Sequence, residues 1–262
     1  MTKILSAAAL AGLLSTGICQ AGDLLRPSIE YAPAISEQVE HFGNIYTAGT
    51  AATFPAISSN WVAYSTLGGK YAYDPIDASF GFQFDGNVDY SVTRSAVNWA
   101  QITGHVTKAM SQQSKIGAFV GVDKSQAVSL GAEAMTTLSD DTWAQAQFAI
   151  IDSTQSSLIA YGVGGSLHQR LSNNFHLRGD VAYNNFPTLG LSLYGGEVAL
   201  QYTFETFPAS IGVSGGYNYG AAASGARLGE YLISVKLQHS FGGPSEGIRG
   251  KLFRTNVLGL TP

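Results

Sequence analysis

From Ser79 to Arg94 the chain reads SFGFQFDGNVDYSVTR, with apolar residues on every second position. Phe80, Phe82, Phe84, Val88, Tyr90 and Val92 form one row; Ser79, Gln83, Asp89, Ser91 and Thr93 form the other. A period of two marks a strand with one apolar and one polar face. Similar segments span 98–110, 115–122, 127–138, 142–151, 157–171, 174–184, 190–204, 208–219 and 229–241, and turn signals such as SQQS, SDD, SN and ETF separate them. A first strand is expected over 60–73, NWVAYSTLGGKYAY. Within 78–93, Asp85-Gly86-Asn87 reads as a hairpin turn. With that hairpin the strands number twelve, the favoured count; a single strand there leaves ten. The connections alternate loosely between a compact set and a longer set, as expected of a barrel with short turns on one rim and longer loops on the other.

Which face looks inward follows from size and charge. In 174–184, Phe175, Leu177, Val181 and Tyr183 oppose His176, Arg178, Asp180 and Asn184. In 157–171, Ile159, Tyr161, Val163, Leu167 and Leu171 oppose Ser166, His168 and Arg170. The polar rows also carry Gly117, Gly121, Gly131, Gly162, Gly164, Gly195, Gly212 and Gly216. Glycines mixed with opposite charges suit a confined concave interior rather than a solvated face. Along the apolar rows the single formal charge is Lys108, beside a turn. A Lys or Arg facing lipid at mid-bilayer costs ~2–4 kcal/mol, so a nearly charge-free face is what a lipid-facing wall requires. The pattern therefore predicts an all-β fold, a transmembrane antiparallel up-and-down barrel. Its expected lumen-lining charges are Asp89, Glu133, Arg170, Arg178, Asp180, Glu197, Glu230 and Lys236.

Composition agrees. Charged residues make up 12% of the chain, about half the usual share of a soluble domain. No apolar run beyond the N-terminus approaches the ~20 residues of a membrane helix. A net charge of −4 gives no basic excess for nucleic acid, and no such partner is expected. The opening MTKILSAAALAGLLSTGICQAGD has the layout of a signal peptide, with cleavage expected after Ala21. Cleavage there also removes Cys19, the single cysteine. The expected organisation is a signal peptide over 1–21, an N-terminal extension, added strand or plug over 22–58, the barrel over 59–241, and a C-terminal tail over 242–262. Trp61, Trp99, Trp143, Tyr183, Tyr217, Tyr219 and Tyr231 lie near strand ends, where membrane-interface aromatics concentrate.

These features resemble the small porin-like class of bacterial outer-membrane β-barrels over residues 60–241. The last strand carries the most specific element: in EYLISVKLQHSF, alternate residues from Tyr231 run to Phe241. In that class a terminal strand ending on an aromatic residue resembles the signal read by the barrel-assembly machinery, so Tyr231 and Phe241 are its candidates here. The resemblance implies outer-membrane lipid, periplasmic chaperones and the assembly machinery as partners, with oligomers compatible. The chain departs from the class by continuing past Phe241 into a tail, expected as a disordered terminus, with a periplasmic tail or one folded back into the lumen as the alternatives.

No nucleotide loop, zinc spacing or G-x-S-x-G elbow occurs, and neither a cofactor nor a metal is implied. His105, His168 and His176 fall on inward faces, but a role in lumen packing accounts for them and no enzyme is expected. The functional expectation is a narrow passive pore for small hydrophilic solutes. A closed structural or surface-interaction barrel is the alternative from another class, with an outer-membrane hydrolase behind it. Five inward carboxylates against three inward basic groups predict a mild preference for cations.

Overall fold

The computed structural model describes residues 39–55, 58–75, 80–92, 95–153, 158–242 and 251–254. Twelve antiparallel strands close on themselves: β1 (Val39–Phe54), β2 (Ser58–Pro75), β3 (Gly81–Ser91), β4 (Ala96–Ala109), β5 (Ser114–Asp123), β6 (Ala127–Ser139), β7 (Thr142–Ser153), β8 (Leu158–Arg170), β9 (Phe175–Phe186), β10 (Leu191–Thr203), β11 (Ala209–Ala222) and β12 (Arg227–Gly242). Each strand pairs with its sequence neighbours, and β1 pairs with β12 from Phe42↔Gly242 to Thr53↔Tyr231. Closure leaves no open sheet edge, which is the condition for spanning a lipid core with strands. The leader expected over 1–21 lies outside the described residues.

The count is twelve, reached by a different route from the one the turn signals suggest. Asp85-Gly86-Asn87 is not a hairpin but the middle of β3, with Lys70↔Asp85, Gly69↔Gly86 and Gly68↔Asn87 on one side. On the other side Gly86 faces Ile102 and Asn87 faces Gln101. A three-residue hairpin loop of this kind needs a residue in the left-handed region. Among the described residues the only non-glycines with positive φ are Ser95 and Gln126, and Gly86 is extended as well. The missing strand is β1, which lies inside the 22–58 segment, where an added strand is one of the three expected possibilities, so the barrel begins at Val39 rather than residue 59. Rim asymmetry is also absent: consecutive strands are separated by only two to five residues at both ends.

The faces follow the period of two. On β3, Phe82, Phe84, Val88 and Tyr90 are exposed on the outside, while Gln83, Asp89 and Ser91 are buried on the inside. Val181, Val198 and Ile233, at 67%, 59% and 57% exposure, continue the outer apolar wall around β9, β10 and β12. Lys108 does lie on that wall, at the end of β4, where its ammonium sits 5.6 Å above the Phe80 ring. Tyr183, Tyr194 and Tyr219, with Tyr217 and Tyr231 beside them, form an outer tyrosine girdle toward one rim. Trp99 and Trp143 do not join it. Trp99 lines the interior, and Trp143 stacks on His168 at 4.7 Å, so both are lumen residues.

Inward glycines make room for larger neighbours. A Cβ on Gly117 would lie 2.7 Å from Glu133 Oε1, so this glycine lets the carboxylate lie against the wall. A Cβ on Gly131 would collide with the Phe119 ring and with the Phe148 carbonyl. The glycine rows thus set where the few large inward side chains lie.

Candidate functional site

The lumen is crossed by a segment of the chain's own tail. Residues 251–254 lie inside the barrel, and Phe253 is 0% exposed. Gln83 Nε2 donates to the Phe253 carbonyl at 2.9 Å, and its Oε1 accepts from the Phe253 amide at 2.9 Å. Gln145 does the same for Arg254, at 2.9 and 3.1 Å. Lys70 donates to the Phe253 carbonyl and Lys115 to the Lys251 carbonyl, each at 2.7 Å. The Lys251 ammonium lies 3.6 Å from the Trp143 ring centre. Against the expectation of a disordered tail, residues 251–254 adopt the alternative folded into the lumen, because wall side chains hold their backbone.

Two charge clusters flank this insert. In the first, Lys70 Nζ meets Asp85 Oδ2 at 2.7 Å, His105 Nε2 stands 3.6 Å from the same oxygen, and His105 Nδ1 lies 2.7 Å from Glu133 Oε1. In the second, Arg178 bonds Asp180 at 2.6 Å and Glu197 at 2.5 Å, and Arg254 bonds Asp180 at 3.0 Å. Lys236 has a different partner: its ammonium sits 4.0 Å from the Tyr46 ring centre. This is a cation–π contact, and among the described residues no carboxylate lies within salt-bridge distance of the Lys236 ammonium.

Two cavities lie on either side of Arg254, of about 250 and 280 Å³. Lys70, Arg178, Lys236 and Arg254 belong to the walls of both, so the cavities meet at a basic neck. Asp85 and Glu197 are the carboxylates that line the first cavity. His168 and His176 line the second, on the side where β1 begins and β12 ends.

The expected lumen charges therefore divide. Arg178, Asp180, Glu197 and Lys236 come together around the neck. Asp89, Glu133 and Glu230 face inward but are packed into the wall, at 2%, 4% and 6% exposure. Glu230 accepts from Asn218 at 2.9 Å and Glu133 is held by His105. Arg170 has the expected inward parity but is the last residue of β8, so it reaches the rim and pairs with a half-exposed Asp141 at 2.6 Å. Missing from the expected set are Lys70, Asp85, Lys115 and Arg254. Lys70 and Lys115 sit on the polar parity of their strands and were legible there. Asp85 was hidden by its turn-like neighbours. Tyr231 and Phe241 lie on the outer face, and Phe241 covers Gly43, where a Cβ would be 2.6 Å from its ring.

Solved structures share this architecture. A NanC porin aligns with a TM-score of 0.54 at 10% identity, covering 74% of this chain and 98% of its own. A KdgM porin aligns at 0.50 and 11% identity, covering 75% and 99%. The chain has a porin-like outer-membrane barrel fold. An outer-membrane channel from Pseudomonas putida F1 extends the likeness, at 0.51 and 12% identity over 83% of this chain and 100% of the other. No protein-family model and no curated protein matches the sequence. This porin-like barrel differs from a bare cylinder in that its own tail helps form the neck.

Proposed function

We propose that the chain is an outer-membrane pore for small hydrophilic solutes, with a preference for anions. The observation that carries this reading is the neck. Four basic side chains, Lys70, Arg178, Lys236 and Arg254, line both cavities; Asp85, Asp180 and Glu197 pair with three of them and leave Lys236 as the excess positive charge. Each cavity is far larger than the ~15 Å³ that one water needs. Fixed wall charges in a narrow, low-dielectric passage act strongly on passing ions, and basic residues favour anions. The cation preference expected from composition rested on Asp89, Glu133 and Glu230 facing water, and these three are packed away from it. The outer-membrane setting is supported by the apolar outer wall and the porin-like fold. In this setting the rim where β1 begins and β12 ends faces the periplasm, and the end of β12, with Phe241, is the segment offered to the assembly machinery.

A closed barrel is the second reading, favoured by the tail residues and ion pairs that occupy the lumen. Planar-bilayer recording of the purified protein distinguishes the two. Discrete current steps, with a reversal potential displaced toward the anion equilibrium potential under a salt gradient, are expected. Silence in repeated insertions would leave the closed barrel.

A further inference from the structure

We propose that the half of the lumen nearer the start of β1 and the end of β12 is a binding site for an extended peptide, that its occupant is the chain's own segment 251–254, and that this segment is a removable insert narrowing the pore. The part about narrowing rests on the pore reading above; the binding site does not.

The geometry is that of peptide recognition. In an extended chain the amide and carbonyl of one residue point to the same side, and those of the next residue point the opposite way. Gln83 on β3 reads both groups of Phe253, and Gln145 on β7 reads both groups of Arg254. Two side-chain amides thus take the place that neighbouring strands take when a peptide is added to a sheet. Side-chain specificity is supplied as well. Phe253 packs against Met135, with Trp143 beside it and the Lys115 ammonium 5.0 Å from its ring centre. Asp180 takes the Arg254 guanidinium. The site therefore selects an aromatic residue followed by a basic one.

The insert is removable without loss of the wall. Its hydrogen bonds reach side chains of the wall, namely Lys70, Gln83, Lys115, Gln145 and Asp180, and strand pairing closes from β1 to β12 without it. Gly242, at the end of β12, has φ +83°, a conformation that turns the chain away from the strand direction and favours glycine. Arg254 is one of the four cations of the neck, so departure of the insert widens the passage and removes a positive charge together.

The test uses the full-length chain with Phe253→Asp, which places a carboxylate where a ring is fully enclosed and leaves every wall residue intact. Folding is checked by the mobility difference between unheated and boiled samples. A severalfold rise in single-channel conductance is expected, and a synthetic peptide GKLFRTN added on the side where β12 ends should return it toward the wild-type level. Independently of any current, fluorescently labelled GKLFRTN should bind the variant saturably in detergent, and much more weakly when Gln83→Ala and Gln145→Ala are added. Conductance equal to wild type, together with no saturable peptide binding, overturns the proposal. Saturable binding to a protein that passes no current upholds the peptide site and removes the pore reading instead.

Discussion

Lys236 tests the neck most directly, because its charge meets an aromatic ring rather than a carboxylate. For an ion passing roughly 6 Å from the ammonium through water, the Coulomb energy is about 0.7 kcal/mol, and screening in ~0.1 M salt reduces it to about 0.4 kcal/mol. Lys236→Gln takes that attraction from an anion and relieves a cation of the same repulsion. The two effects add to about 0.8 kcal/mol, so the anion-to-cation permeability ratio falls about fourfold. Charge reversal by Lys236→Glu doubles the energy and lowers the ratio about fifteenfold. The ratio is read from reversal potentials under a KCl gradient in planar bilayers, and the effect should shrink at ~1 M salt, where the screening length is ~3 Å. Asp89→Asn and Glu230→Gln serve as comparisons, since both side chains are packed into the wall. A ratio unmoved by Lys236→Glu, or moved as far by the two comparison variants, refutes the assignment of this neck as the selective passage.

Three further outcomes are expected. The purified protein should remain folded in detergent and migrate faster unheated than boiled; isolation as a soluble monomer contradicts the lipid-facing wall. Gly131→Ala, whose Cβ collides with both a ring and a backbone oxygen, should cost about 2–3 kcal/mol in urea unfolding. Gly49→Ala, with nothing within 4 Å of its Cβ, should be neutral or gain about 0.5 kcal/mol, and equal effects of the two count against the lumen packing described. Phe241→Ala should reduce the yield of assembled barrel in membranes, whereas the full-length Phe253→Asp variant should assemble normally; the reverse order would make the tail, not β12, the segment that assembly requires.

Much of this protein follows from the period of two. Side chains of a strand alternate strictly, so once the charge-poor row faces lipid, the parity of Arg178, Asp180, Glu197 and Lys236 places them inside without knowledge of any neighbour. Position along the strand is a different quantity. Arg170 has the right parity, yet it ends β8 and reaches the rim, because depth depends on where the strand stops and how its partners are staggered.

Tertiary pairing decided the rest. Asp85-Gly86-Asn87 is a local turn signal, but β2 and β4 offer paired residues along its whole length, and the ladder on both sides overrides the local preference. β1 shows little contrast between its faces in sequence, with Gly43, Gly49, Ala51 and Thr53 on the outer one. It is held by β2 and β12, whose free edges it joins. The tail has no periodicity that pairs it with a strand. Its place depends on Gln83, Gln145 and Asp180 from three separate strands converging on one segment, and no local pattern encodes that convergence. The sign of the neck depends on it too. Sequence supplied the inventory of charges, whereas only the closed barrel separated Asp89, Glu133 and Glu230, packed into the wall, from the charged groups left facing the cavities.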